Sequence, residues 1–367
     1  MPRDPRILEV LKQYRLQLIS ADRISGGFSG ATVWRVIASP GRLFALRWTP
    51  QDAALPTDRV LRLHDLLTRV FQRGFEKIPV PVCLTNGLSI LPADQGFWQL
   101  EPWMPGQSLI GTEVTTSQIE STVVALMEFW QRAASLVSST AADSWFFCQM
   151  ARSPSVVRRL RLVEELRDGE LDELSRKILT DPDSEYREYG RALTELLRER
   201  LDGIEVRLRE VEGLLFPLQP VIRDLRAPHL LFSGNDLSGL IDLTACGTDH
   251  VTVDLSRLVR SWFGTDHDRV EDFLSRFAQF HRLSLSELQL LSVLDESSVA
   301  LSPVTWIRRR TQDVSARRAS GWSSQSLVCE SELSLDGDHS GQNEIRQHLK
   351  SLIHNFAEHR RLRAGGT

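Results

Sequence analysis

Lysine is almost missing from this 367-residue chain: it stands only at Lys12, Lys77, Lys177 and Lys350, and arginine carries nearly all the positive charge. The plainer reading of that shortage is a compositional bias rather than a function. Cysteine is scarce too. Cys83, Cys148, Cys246 and Cys329 make no Cys-x-x-Cys unit, which argues against a zinc site or redox pair and fits a reducing compartment. No run of about 18 apolar residues occurs, so no membrane span is expected. Met1-Pro2-Arg3-Asp4 brings charge with no apolar stretch behind it, so no signal peptide is expected and a cytoplasmic location is. A broad basic field is also lacking. With 25% charged residues and a formal net charge of -4, the chain does not suit a nucleic-acid backbone.

What is present is enough apolar material, 41% of residues, to bury a substantial core in about two folding units. Residues 4–19 read as a short amphipathic helix leading into a strand. A glycine turn, Ile24-Ser25-Gly26-Gly27-Phe28-Ser29-Gly30, precedes the β-rich run Ala31–Val36, and Pro40-Gly41 turns the chain into a third strand, Leu43–Trp48. Helical spacing over 57–73 is followed by two more strands, Leu88–Ile90 and Phe97–Leu100, around Asp94-Gln95-Gly96. After Pro102-Trp103-Met104-Pro105-Gly106 the texture becomes helical, at 117–137, 154–180 and 186–212, with Arg and Glu three and four residues apart as on solvated helix faces. A second small β element is expected at Val221–Ile222, Leu230–Phe232 and Gly239–Leu243, then helices at 254–264, 268–281 and about 285–293. Residues 319–343 read as a loose linker and 344–363 as a final basic helix. The expected division is therefore 1–102, 103–318 and a tail at 319–367.

The chemistry concentrates in Val221-Ile222-Arg223-Asp224-Leu225-Arg226-Ala227-Pro228-His229-Leu230, followed eighteen residues after Asp224 by Asp242 in Leu240-Ile241-Asp242-Leu243. An aspartate between apolar strands loses hydration and needs a reason. Two such carboxylates facing one cleft suit a Mg²⁺ ion with nucleotide phosphates, one near an attacking hydroxyl and one on the metal. Two turn aspartates in a hairpin region are the plainer alternative for the pair alone.

The order and spacing of these segments resemble the aminoglycoside phosphotransferase and choline-kinase group, relatives of protein kinases, over residues 20–310. That resemblance implies an α+β, protein kinase-like bilobal fold, with a small antiparallel sheet lobe carrying one helix and a larger helical lobe. It implies Asp224 as the catalytic aspartate, Asp242 as the metal aspartate, and Asp254 as the residue that opens the next helix and braces the catalytic loop. Gly26, Gly27 and Gly30 fall on the turn over the phosphates. Glu101 and Trp103 fall on the hinge whose backbone meets an adenine edge. Four positions depart from the pattern: Arg47 stands where the family has lysine, Leu63 where the helix has glutamate (with Asp58, His64 and Asp65 near by), Ile222 where the loop has histidine, and His229 where it has asparagine.

Arginine meets phosphate bidentately, so Arg47 can still hold it, whereas the imidazole of His229 is a softer metal ligand than an amide oxygen. Arg226 is open to two roles, on the transferred phosphoryl group or in a salt bridge to a neighbouring carboxylate. Trp130, where the family often has histidine, reads as a core aromatic. The expected activity is transfer of the ATP γ-phosphate to a hydroxylated or amino small metabolite with Mg²⁺. The acceptor would lie against 150–215, where Glu164, Glu165, Asp168, Glu170 and Asp172 could draw a cation, unless they simply form a solvated face. The alternative is a pseudokinase that binds nucleotide or ligand without turnover. The sequence leaves the oligomeric state open.

Overall fold

The computed structural model describes residues 5–24, 31–51, 56–109, 114–138 and 145–319. Gly26, Gly27 and Gly30, and the tail from residue 320 onward with its expected linker and basic helix, lie outside the described residues. The chain forms two compact units, one of Met1–Gln149, Pro217–Asp254 and Asp268–Arg282, the other of Met150–Phe216, Leu255–His267 and Leu283–Thr367. The expected boundaries at 102 and 318 remain a proposal.

In the first unit, helix α1 (Pro5–Gln13) leads into strands β1 (Leu18–Ile24), β2 (Thr32–Ala38) and β3 (Arg42–Pro50). Helix α2 (Thr57–Gln72) follows, then β4 (Leu91–Ala93) and β5 (Gly96–Pro102). The five strands form one antiparallel sheet in the order β1-β2-β3-β5-β4. Strand alternation sorts its two faces. Trp34, Val36, Phe44, Leu46, Trp98 and Leu100 pack with Ile7, Val10 and Leu11 of α1 in one apolar cluster. Phe97 points the other way and clusters with Val60 of α2 and Ile90. The register pairs Arg47 with Gln99 and Ala45 with Glu101. By the same alternation these polar side chains share the face that carries Phe97.

The strand expected at Leu88–Ile90 begins later, at Leu91. The Leu84 N–H bonds the Leu88 carbonyl across a turn containing Gly87, and Leu91 is the first residue opposite Trp98.

Helix α3 (Thr116–Ser135) opens with a reciprocal capping box between Thr115 and Gln118. In the described residues that follow, β6 (Gln149–Ala151) belongs to the segment that leads into the second unit. Still in the first unit, β7 (Phe216–Val221) pairs antiparallel with β10 (Gly247–Asp249), and β8 (Leu230–Ser233) with β9 (Asp236–Leu240) around Gly234. Gly106 is held at φ 101° against this hairpin, where a Cβ would collide with Ser238 Oγ and the Phe232 carbonyl. No residue with a side chain suits that approach. Helix α8 (His267–Phe280) sets Phe277 edge-on to Trp130, with ring centroids 6.3 Å apart.

The second unit is helical: α4 (Pro154–Glu165), α5 (Leu171–Leu179), α6 (Ser184–Glu212), most of α7 (Thr252–Phe263) and α9 (Leu285–Ala319). The single helix expected over 154–180 breaks at Gly169, whose φ of 113° no right-handed helix accommodates. The last helix runs far past 293, through Pro303 to Ala319. A proline costs an interior helix roughly 3 kcal/mol. Buried Leu294, Ala300, Leu301, Val304 and Ile307 offset that cost. The acidic residues 164–172 are mostly matched by arginines here. Glu164 meets Arg209 at 3.0 Å, Asp172 meets Arg198 at 2.7 Å, and both Glu165 and Glu170 meet Arg308. That replaces the cation-attracting reading of the cluster with an ion-paired helix surface.

Candidate active site

Arg47 leaves β3 with its side chain 15% exposed, and its Nη1 donates to Asp242 Oδ1 at 3.0 Å and to Thr244 Oγ1 at 3.4 Å. Burial works against its charge. The nearby Asp242 and Glu101 outweigh burial and hold the guanidinium above its ordinary pKa. Glu101, from the same face, accepts from Gln99 Nε2 at 2.6 Å. Its carboxyl is pushed up by burial, against the pull of Arg47.

Helix α2 brings no carboxylate to this arginine. Leu63 is buried. His64 is buried and bonds Ser89 Oγ through Nδ1 at 2.8 Å, and burial lowers its pKa to about 4. Asp58 and Asp65 are exposed, 3.9 Å from Arg62 and 3.6 Å from Arg69. None of the three acid or histidine substitutes considered for the missing glutamate meets Arg47. A cavity of about 20 Å³, room for roughly one water, lies among Arg47, Leu63, His64, Glu101 and Asp242.

Asp242 sits just beyond the β8–β9 hairpin, and the Ile241 N–H bonds the His229 carbonyl at 2.9 Å. That closure carries His229 and Asp242 to the same end of the hairpin. His229 Nδ1 is 2.8 Å from the carbonyl oxygen of Asp224, so Nδ1 carries the proton and donates. Burial, aided by Arg226, lowers the imidazole pKa and keeps the ring neutral. Its Nε2 is then a lone pair, 3.3 Å from Arg226 Nη2 and 3.7 Å from Asp242 Oδ2. The same Arg226 Nη2 reaches Asp224 Oδ2 at 3.3 Å, so the salt-bridge role of this arginine is the one observed.

Arg47, Asp242, His229, Arg226 and Asp224 thus form one continuous run of polar contacts. His229 Nε2 accepts from Arg226 Nη2 at 3.3 Å and stands 3.7 Å from Asp242 Oδ2, two atoms of types that ligate cations, so an ion between them would take the place of the Arg226 contact. Among the described residues no group of three or more His, Cys, Asp or Glu side chains could hold a metal. A hard divalent ion bound chiefly by phosphate and water needs only one or two protein ligands.

The loop around Asp224 is held from behind. The buried carboxylate of Asp254 accepts from the Ile222 N–H at 2.9 Å, the Arg223 N–H at 2.6 Å and Trp130 Nε1 at 2.9 Å. Asp254 lies inside the first turn of α7 rather than before it, so bracing the loop, not capping the helix, is what its side chain does. Burial raises its pKa to about 6 against these three donors. Ile222, in the histidine position, is fully buried. Arg223 adopts φ 66° and Asp242 φ 57°, left-handed conformations that residues with a Cβ rarely adopt unless their surroundings hold them there.

At the hinge the Trp103 backbone N–H is committed within the sheet. The Trp103 N–H bonds the Leu43 carbonyl at 3.1 Å, continuing the β3–β5 ladder, so this donor faces the sheet. Its ring is 37% exposed, with Arg35 5.6 Å from the centroid. Glu101 enters the site through its side chain.

Sequence reasoning passed over Trp130 as a plain core aromatic. The available signal was its place, where the family often carries histidine: another ring N–H donor. Gln99 and Thr244 carried no signal, since only the register and the hairpin bring them to Arg47. In the second unit, a cavity of about 470 Å³ between α6 and α9 contains none of these residues; of its lining charges, Arg207 pairs with Glu296 at 3.4 Å and Asp202 with Arg167.

No curated protein sequence matches the chain. Solved structures similar to it include a spectinomycin phosphotransferase with ADP and spectinomycin, 10% identical over 97% of this chain and 98% of that one, TM-score 0.57. An aminoglycoside 2′-phosphotransferase with GDP is 13% identical over 97% and 98%, TM-score 0.59. An amicoumacin kinase with AMP-PNP and Ca²⁺ is 12% identical over 95% and 94%, TM-score 0.58. At such identities the likeness establishes a kinase-like α+β fold, as the sequence implied. The model of the family described as "Phosphotransferase enzyme family" matches residues 20–288, and the chain therefore belongs to that family.

Proposed function

We propose that the protein transfers the γ-phosphoryl group of ATP, as its Mg²⁺ complex, to a hydroxyl of a small hydroxylated or amino metabolite in the cytoplasm. The observation that carries this reading is the proximity of Arg47, Asp242, His229, Arg226 and Asp224, each polar group within 3.7 Å of the next. One carboxylate near an acceptor hydroxyl, another on the metal and a cation on the phosphates are what phosphoryl transfer uses, and this grouping supports the reading. Asp224 would orient the acceptor hydroxyl and take its proton. Asp242 Oδ2 and His229 Nε2 would hold the Mg²⁺, which when bound neutralises phosphate charge. Arg47 would grip phosphate oxygens in place of lysine. Gly26, Gly27 and Gly30 would cover them with backbone N–H groups, as the resemblance implies. Arg226 would steady Asp224 and lie near the charge that develops on the transferred group. Relatives of this fold have been solved with spectinomycin and with nucleotides, which supports a small-molecule acceptor.

The test is transfer of labelled phosphate from γ-labelled ATP, with and without Mg²⁺, to a panel of hydroxylated metabolites, with Asp224→Asn as control. Transfer that persists unchanged in that variant sinks the assignment of Asp224. A second reading, nucleotide binding without turnover, is favoured by one observation: each of the two carboxylates is already matched by an arginine. A melting temperature raised by ATP and Mg²⁺, with no transfer to any acceptor, would select it.

A further inference from the structure

The fold leaves a gap in the site just described: α2 supplies no carboxylate to Arg47, yet this helix must be registered against the Asp242 turn if that carboxylate is to stay in place. A different residue of α2 makes the connection. Arg59 donates through Nη1 to the Thr244 carbonyl at 3.1 Å and through Nη2 to the Cys246 carbonyl at 2.6 Å. These carbonyls belong to the 3₁₀ turn Leu243–Ala245 and the residue after it, immediately beyond Asp242.

Four features make this a latch on the turn rather than a surface contact. The guanidinium is half-buried and bonded to two neutral backbone oxygens. Burial and the proximity of Arg223 both lower its pKa, so its position is set by geometry rather than by a carboxylate partner. Asp242 has φ 57° and ψ 53°, a conformation that costs a residue with a Cβ roughly 1–2 kcal/mol unless its surroundings impose it. Arg47 touches the same turn from the other side through Thr244 Oγ1, at 3.4 Å. The turn is thus clamped by two arginines, one from the sheet and one from the helix.

We propose that Arg59 is a positioning residue for phosphoryl transfer. Its two-pronged hold on Thr244 and Cys246 fixes the backbone that aims Asp242, in place of a lysine–glutamate tie between strand and helix. The proposal rests on the phosphotransferase reading above. Arg59 acts through the 243–246 backbone and does not touch the reacting groups.

The experiment compares the wild type with Arg59→Gln and Arg59→Lys, full chain, each first shown to melt cooperatively. Amide hydrogen exchange over 243–247 without ligand is expected to speed up about tenfold in Arg59→Gln and less in Arg59→Lys, with β2 and β3 unchanged. Equal exchange overturns the latch. Mn²⁺ binding in the presence of ADP, followed by paramagnetic resonance, is expected to weaken about 10–100-fold in Arg59→Gln, the usual effect of losing an outer support of a metal ligand. Binding of ADP without metal should stay within about threefold by the same argument. Faster exchange with unchanged Mn²⁺ affinity overturns the positioning role and leaves Arg59 purely structural. A wild type that takes up no Mn²⁺ with ADP overturns the phosphotransferase reading and this role with it. Uptake by the wild type equal to that of Arg59→Gln overturns Arg59 alone.

Discussion

Arginine is used in two opposite ways in the two units. In the helical unit, Arg198, Arg207, Arg209 and Arg308 lie along helix surfaces, each against a carboxylate, with side chains a third to nearly half exposed. In the sheet unit, Arg47, Arg59 and Arg226 are half-buried and hold Asp242, two backbone carbonyls, and Asp224 with His229. The first set has solvent as an alternative partner, so each pair contributes little. Arg47, with 15% of its side chain exposed, has largely lost that alternative, so its geometry is imposed on the site and its removal leaves Asp242 and Glu101 without their cation. The chemistry follows the burial rather than the number of charges.

The widest separation between the two sets comes from Asp224→Asn, which is expected to lower single-turnover phosphoryl transfer about a thousandfold, within the range for losing a positioned base. Nucleotide binding, by melting-temperature shift, should barely change. Arg47→Met comes next. It leaves Asp242 and Glu101 facing each other without a cation, and a urea melt should record a loss of about 3 kcal/mol, with Arg47→Lys losing less. Trp130→Phe keeps the buried ring but removes one donor from Asp254. It should cost about 1–2 kcal/mol in the same melt and lower the transfer rate, because the brace behind Asp224 loosens.

The pH dependence sharpens the same comparison. Asp254, with a folded pKa of about 6 above its ordinary value, keeps its proton longer in the folded state. Its stability contribution is therefore fullest below about pH 4 and declines as pH rises to about 6. The brace needs the carboxylate, so transfer should fall as pH drops through 6. His64 runs the other way. Its folded pKa of about 4 means the unfolded chain takes the proton first, and stability is lost as pH falls from about 6.5 to 4. Melts of wild type and His64→Gln across that window should differ in slope, steeper toward acid in the wild type. The smallest effect belongs to the helical unit: Arg198→Ala should cost less than about 1 kcal/mol and leave transfer unchanged. A large loss there would break the contrast.

Much of this was legible beforehand, for local reasons. The alternation in Val33–Val36 and Leu43–Trp48 fits a sheet, the spacing of Val60, Leu63, Leu67 and Val70 fits a helix, and the glycine at 106 marks the end of the sheet segment. The partners of Arg47 were not legible, because the resemblance points to α2 for the carboxylate and the residues there, Leu63, Asp58, His64 and Asp65, do not meet this arginine. The one that reaches it, Asp242, is 195 residues away. The length of α9 was also hidden, since Pro303 reads locally as a stop and only packing overrides it. Trp130 looked like filler because burial and hydrogen bonding at one indole cannot be told apart from sequence.

The amino-acid order by itself determined the type of most segments, most of the chain reversals, and which carboxylates stand at the edges of apolar strands, since these follow from periodicities of a few residues. Which groups meet was decided only by the tertiary structure. Hairpin closure brings His229 to Asp242, sheet register aims Glu101 at Arg47, and helix packing sets Trp130 on Asp254 and Arg59 on the turn at 243–246. A hydrogen bond depends on placement within tenths of an ångström, and between residues distant in sequence only the packed core supplies that placement.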